Sequence, residues 1–213
     1  MKCDGKKIAF LGDSITNGEC LDDRNNSYVE IVKRSFSWAE VHRHSLPGSR
    51  IGNYIGKDPR NIGPSFVERY PEMPEEMDIV VVFGGTNDFG IGNDPIGNGR
   101  DCSADTFCGA LNLVMEGLKK KYENAVIVFI TPLHRKNEKI PNAFTKAFFV
   151  EYIDAIRKQA NEHGIQLLDL YAAESLQPTD KYFDSLIRAD GIHPNDAGHQ
   201  VIAMELIKFL KAI

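Results

Sequence analysis

The sequence has little of what marks an exported, membrane-spanning or phosphate-gripping protein. Its longest apolar runs are only strand-length, and Ile8-Ala9-Phe10-Leu11 near the start is too short for a signal-peptide core. A cytoplasmic location without membrane insertion is the resulting expectation. The 4 cysteines (Cys3, Cys20, Cys102 and Cys108) are scattered through 213 residues with no Cys-x-x-Cys pair, so they read as reduced thiols. Positive charge is not in excess either. Lys and Arg number 25 against 30 Asp and Glu, a net charge of -5, and the longest basic run is Lys119-Lys120-Lys121. That balance argues against a nucleic-acid partner held by phosphate neutralisation. Neither Gly-x-x-x-x-Gly-Lys-Ser/Thr nor Gly-x-Gly-x-x-Gly occurs, which removes two common phosphate cradles. Gly-x-Ser-x-Gly is absent too, and with it the nucleophile elbow of the usual α/β-hydrolase. No repeat, low-complexity tract or linker divides the chain, so residues 1–213 are expected to form one domain.

What the sequence does contain is an alternation of two periods. Strands are expected at Lys7–Leu11, Val41–Leu46, Asp78–Phe83, Ala125–Thr131 and Gln166–Leu170. Ile79-Val80-Val81-Val82-Phe83 and Val126-Ile127-Val128-Phe129-Ile130 are continuous and β-branched, as suits strands covered on both faces. Between the strands, apolar residues recur at helical spacing. One stripe is Phe107, Ala110, Leu111, Val114 and Leu118, with Ser103 as the expected N-cap. Others are Tyr28, Ile31, Val32 and Phe36; Phe148, Tyr152, Ile156 and Ala160; and Ala203, Leu206, Ile207 and Leu210. This alternation predicts an α/β fold with a parallel, doubly wound sheet. Long connections at Pro47–Asp78, Asp88–Asp101 and Pro132–Ala143 leave the carboxyl ends of strands two to four, and Tyr171–His193 follows the fifth. Ligands bind at that edge in open α/β sheets.

Four short segments at that edge carry chemistry. Gly12-Asp13-Ser14-Ile15-Thr16 places Ser14 just past the first strand, where a helix begins. A hydroxyl there is exposed and its own N–H points outward, which suits a nucleophile that also helps hold its oxyanion. Asp190-Gly191-Ile192-His193-Pro194 lets a carboxylate fold back onto imidazole Nδ1 and leave Nε2 free as a base. Gly84-Gly85-Thr86-Asn87-Asp88 offers the Asn87 amide at the same edge, and Leu46-Pro47-Gly48-Ser49 offers a backbone N–H at Gly48. Asp13 is adjacent to Ser14 and is read as fixing the turn. His42 and His44 share one strand face but have no neighbouring ligand in sequence, and His199 is read as a surface or cap residue.

These segments, in this order, resemble the GDSL or SGNH family of esterases and lipases. Gly12-Asp13-Ser14-Ile15-Thr16, Gly84-Gly85-Thr86-Asn87-Asp88 and Asp190-Gly191-Ile192-His193-Pro194 match its first, third and last blocks. The second block keeps Gly48, with Gly52 as the competing position. The resemblance implies a flavodoxin-like sandwich on a five-stranded parallel sheet, with no metal and no organic cofactor. It implies a Ser14–His193–Asp190 triad and an oxyanion hole of the Ser14 N–H, the Gly48 N–H and the Asn87 amide. The partner would be a small-molecule acyl ester, cleaved through an acyl-enzyme. A carbohydrate O-deacetylase or thioesterase of the same family is the nearest alternative. A flavodoxin-like binding module without catalysis is the alternative from another class, and Asp13 beside Ser14 argues against a phosphate ligand there.

Overall fold

The computed structural model describes residues 2–179 and 181–213. In chain order, the elements that frame the site are β1 (Lys7–Gly12), α1 (Ser14–Asn17), α2 (Tyr28–Arg34), β2 (Glu40–Ser45), α3 (Phe66–Arg69), β3 (Ile79–Phe83) and α4 (Thr86–Ile91). They continue with α5 (Phe107–Lys121), β4 (Val126–Ile130), α6 (Phe149–Glu162), β5 (Gln166–Leu168), α7 (Tyr182–Ser185) and α8 (Asp196–Ala212). All strand pairs are parallel, in the order β2-β1-β3-β4-β5. This is the doubly wound α/β architecture that the alternating pattern predicts.

Strand alternation divides the core into two layers. Ala9, Leu11, Val80, Val82, Ile127 and Phe129 pack on one face with the apolar sides of α5 and α6. Ile8, Phe10, Ile79, Val81, Val128 and Ile130 pack on the other with α2 and α8. Both faces of the central strands are thus dry, which is why they read as unbroken apolar runs. Burying each of the Val, Leu, Ile and Phe side chains among them favours the fold by about 1.5–3 kcal/mol. Winding runs one way from β1 to β2 and the other way from β1 to β3, so a crevice opens at the carboxyl ends of β1 and β3. Among the described residues, no helix is long and apolar enough to cross a membrane.

Several helix boundaries differ from the sequence expectation, each for a local reason. Thr106, not Ser103, caps α5: its Oγ1 accepts from the Gly109 N–H at 3.1 Å, while the Ser103 hydroxyl is engaged in a tight turn with the Asp105 N–H. Phe148 lies outside the α6 stripe. It is the N-cap, its N–H bonded to Glu151 Oε2, and the buried face runs through Phe149, Tyr152, Ile153 and Ile156. Phe36 falls beyond α2 and packs edge-on against Trp38. Where turns are expected after Asp88, α4 instead continues to Ile91, anchored by Phe89 against the rings of Phe149 and Tyr152. His199 is the largest departure. It is fully buried in α8, stacked on Tyr28, and its Nδ1 accepts the Tyr28 N–H at 3.2 Å. Burial drives its pKa down to about 3, so this imidazole is a neutral strut between α2 and α8.

Candidate active site

β1 ends at Gly12 and the chain turns at once into α1. A Cβ on Gly12 would lie 1.9 Å from Thr16 Oγ1, so only glycine lets the first turn of α1 fold against the strand end. Asp13 caps that turn through Oδ1, which accepts the Ile15 N–H at 2.9 Å. Ser14 therefore occupies the first helical position, where its N–H has no acceptor within the helix. Asp13 is fully buried, and that burial pushes its pKa up to about 7 despite the Ile15 bond and the nearby His193.

The 190–193 loop reaches Ser14 from the far end of the sequence. One oxygen of Asp190 accepts the N–H groups of Ile192 and His193 at 2.8 and 3.0 Å. The other meets His193 Nδ1 at 2.7 Å. A carboxylate can only accept, so the Nδ1 proton points at Asp190 and the Nε2 lone pair is left for Ser14 Oγ, 2.9 Å away. Partial burial raises the Asp190 carboxyl, but these three bonds outweigh it and hold the group below its usual range. The loop is fixed in turn by Arg188 N–H to His193 O and Lys136 N–H to Gly191 O, both 2.8 Å.

Two further segments meet the Ser14 edge. Asn87, in the first turn of α4, donates from Nδ2 to Ser49 O at 3.0 Å and to Asp13 Oδ2 at 3.3 Å. This amide thus ties the β2 loop to the start of α1. Gly48 sits in that loop at φ +77°, a left-handed conformation natural to glycine, with Ile62 packed directly against it. The competing Gly52 is otherwise engaged, since its N–H donates to Asp88 Oδ1 at 3.0 Å. The N–H groups of Ser14 and Gly48 find no acceptor among the described residues. Ser14, His193, Asp190, Asn87 and the Gly48 loop are thus brought together. His42 is bound to Glu40 on the β2 edge, away from this group.

Sequence reasoning missed the residues that hold these loops. Buried Arg69, at the end of α3, donates to Gly12 O, His44 O and Ser49 Oγ, joining β1, β2 and the Gly48 loop. Arg135 donates to the Thr86 carbonyl and hydroxyl and lies over the rings of Phe89 and Phe149. Asp88 receives the N–H groups of Ile51 and Gly52. Only Asp88 carried a signal, as the last residue of the Gly84–Asp88 segment. An arginine that serves three carbonyl or hydroxyl oxygens from distant segments has no local pattern.

Ser14, His193 and Asp190 thus stand in a hydrogen-bonded file at the carboxyl edge of a doubly wound α/β sheet, and the class of protein is that of the carboxylic-ester hydrolases, as its family shows. The chain belongs to the GDSL-like lipase/acylhydrolase family, whose model matches residues 10–201. A crystal structure of a protein from Lactobacillus plantarum is similar at 29% identity, covering 98% of both chains with a TM-score of 0.85. The lipase/acylhydrolase of Enterococcus faecalis is 20% identical, with a TM-score of 0.68 over 97% of this chain and 96% of that one. An acetyl xylan esterase is 20% identical, with a TM-score of 0.62 over 95% and 98%. None of the curated protein sequences matches.

Beside the site lies an uncompensated acid. Asp94 is fully buried, and among the described residues neither of its carboxyl oxygens has a hydrogen-bond partner. Burial, and then the charge of Asp88, raise its pKa. The unfolded chain gives up this proton near the ordinary carboxylate value while the fold retains it, so the fold loses stability as pH rises. Asn has no such ionisation. Asp94→Asn is expected to melt close to the wild type at acid pH and progressively above it toward alkaline pH. Thermal melts from pH 5 to 9 test this; a gap that does not change with pH would refute it.

Proposed function

We propose that this protein cleaves carboxylic esters through an acyl-enzyme on Ser14. The observation that carries the reading is the unbroken file Ser14 Oγ–His193 Nε2 (2.9 Å) and His193 Nδ1–Asp190 Oδ2 (2.7 Å). In this mechanism Ser14 attacks the ester carbonyl while His193 takes its proton, and Asp190 keeps the imidazole in the needed tautomer. The carbonyl oxygen, now an anion, is met by the N–H groups of Ser14 and Gly48 and by the Asn87 amide. His193 returns the proton to the leaving alcohol. It then draws one from the water that releases the acid.

The alcohol side is read as polar, a sugar being the nearest fit. A cavity of about 480 Å³ opens behind Ile62, the residue packed on Gly48, and its wall includes Arg50, Asn53, Tyr54, Asp58 and Glu68. Arg50 pairs with Asp58 at 2.8 Å and lies over the Tyr54 ring, which fixes this wall in place. The acetyl xylan esterase among the similar structures supports the same choice. The unpaired thiols of Cys3, Cys20, Cys102 and Cys108 support a cytoplasmic setting.

A panel of nitrophenyl acetate, butyrate and palmitate, peracetylated sugars and an acyl thioester tests the reading on one preparation. The expected order places the acetyl esters, sugar acetates included, well above palmitate. Preference for palmitate would overturn the polar-alcohol assignment, and preference for the thioester would turn the reading to a thioesterase.

A further inference from the structure

Cys20 has no part in the mechanism above, yet it stands beside it. The chain leaves α1 through Gly18 at φ +72° and returns through Cys20 at φ +66°, a turn that brings the thiol to the 190–193 loop. One ligating atom from each of Cys20, Asp190 and His193 lies within 4.8 Å of the other two. No other such trio of His, Cys, Asp or Glu occurs among the described residues. We propose that Cys20, Asp190 and His193 form a binding site for a soft divalent cation of the zinc type, whose occupancy switches the hydrolase off; the switching, though not the binding, rests on the function proposed above.

The donor set selects the metal. One thiol sulfur, one imidazole nitrogen and one carboxylate oxygen form a mixed set of the kind that suits Zn2+, whereas Mg2+ and Ca2+ require oxygen cages. Three protein ligands leave the fourth tetrahedral position to water. Zinc bonds of about 2.0–2.3 Å set tetrahedral ligands about 3.4–3.6 Å apart, so the Cys20 sulfur has to approach by up to roughly one ångström, while binding at Nδ1 would part His193 and Asp190, 2.7 Å apart, by somewhat less. Cys20 and Asp190 are both exposed, which gives the ion a path and the side chains freedom to move. Charge balances as well. A thiolate, a carboxylate and a neutral imidazole offset Zn2+, and the thiol proton leaves to solvent as the Zn–S bond forms.

Inhibition follows from His193 whichever ring nitrogen binds. Metal at Nδ1 takes the place of the proton shared with Asp190, which moves to Nε2, so that Nε2 can only donate to Ser14. Metal at Nε2 occupies the lone pair that receives the Ser14 proton. In both cases the base is lost, and removal of the ion by a chelator restores it.

The test uses the full chain stripped of metal, its Cys20→Ser and His193→Ala variants, and Zn2+ as the probe. Binding is read by competition with a chromogenic chelator, and by the ultraviolet thiolate absorption that Cd2+ induces. One zinc per wild-type chain is expected, with at least tenfold weaker binding in each variant and no Cd2+–thiolate band in Cys20→Ser. Ester hydrolysis by the wild type should fall with zinc, recover with EDTA and ignore Mg2+. The Cys20→Ser enzyme should keep its basal rate and need at least tenfold more zinc for the same loss. Equal zinc affinity in wild type and Cys20→Ser overturns the site. Cys20-dependent binding that leaves hydrolysis untouched overturns the switch. A chain inactive on every ester, yet binding zinc through Cys20 and His193, would fail the proposed function while upholding the site.

Discussion

Ser14→Ala is expected to lower kcat on a short nitrophenyl ester by about a thousandfold or more, with the melting temperature close to the wild type. The activity loss follows from chemistry, because alanine has no oxygen to attack the carbonyl. The unchanged stability follows from contacts. Among the described residues the Ser14 hydroxyl bonds only to His193, while the fold around it is held by the Asp13 cap and the close seat of Thr16 on Gly12. Residual rate is also expected, since the Gly48 and Asn87 donors remain to polarise a carbonyl that water attacks. Wild-type kcat in the variant would remove Ser14 from the chemistry. Labelling by a fluorophosphonate supplies an independent readout, with the mass increment expected on the peptide that contains Ser14.

Asn87→Ala carries the second large effect, an expected loss of about a hundredfold to a thousandfold in kcat. The Asn87 amide has two duties. It is one of the proposed donors to the oxyanion, and it holds Ser49 O, the carbonyl next to Gly48. Its removal therefore weakens one donor directly and loosens the loop that carries another. Asn87→Asp should be worse than alanine, because it sets a carboxylate against Asp13 and the Ser49 carbonyl. A donor used only in the transition state acts on kcat and leaves KM nearly unchanged. An effect confined to KM would instead make Asn87 a ground-state binding residue.

The sheet was legible because its information is local and redundant. The three central strands β1, β3 and β4 are built on apolar, largely β-branched runs, and all five strands lie within two residues of where the pattern puts them. Asp190 and His193 were legible for a similar reason, since three residues suffice to fold the carboxylate onto the ring. Features that depend on distant segments were not. His199 looks like a polar residue near a helix start, and only the Tyr28 backbone, 171 residues away, makes it a buried acceptor. Arg69 looks like any helix-end cation until Gly12, His44 and Ser49 surround it. Thr106 prevails over Ser103 as a cap because Pro95 and Ile96 carbonyls take the first N–H groups of α5 at its start, a contact outside the local window.

The contact between Ser14 and His193 spans 179 positions. The intervening chain must therefore be made before the two atoms proposed to react can meet. A nascent chain that has completed β1 to β4 already holds Ser14, Gly48 and Asn87, but it lacks the proposed base, His193. Loop closure over such a length comes late, after the nearer pairings of the sheet have formed. In the proposed mechanism the growing polypeptide thus carries Ser14 without its base until the 190–193 loop docks.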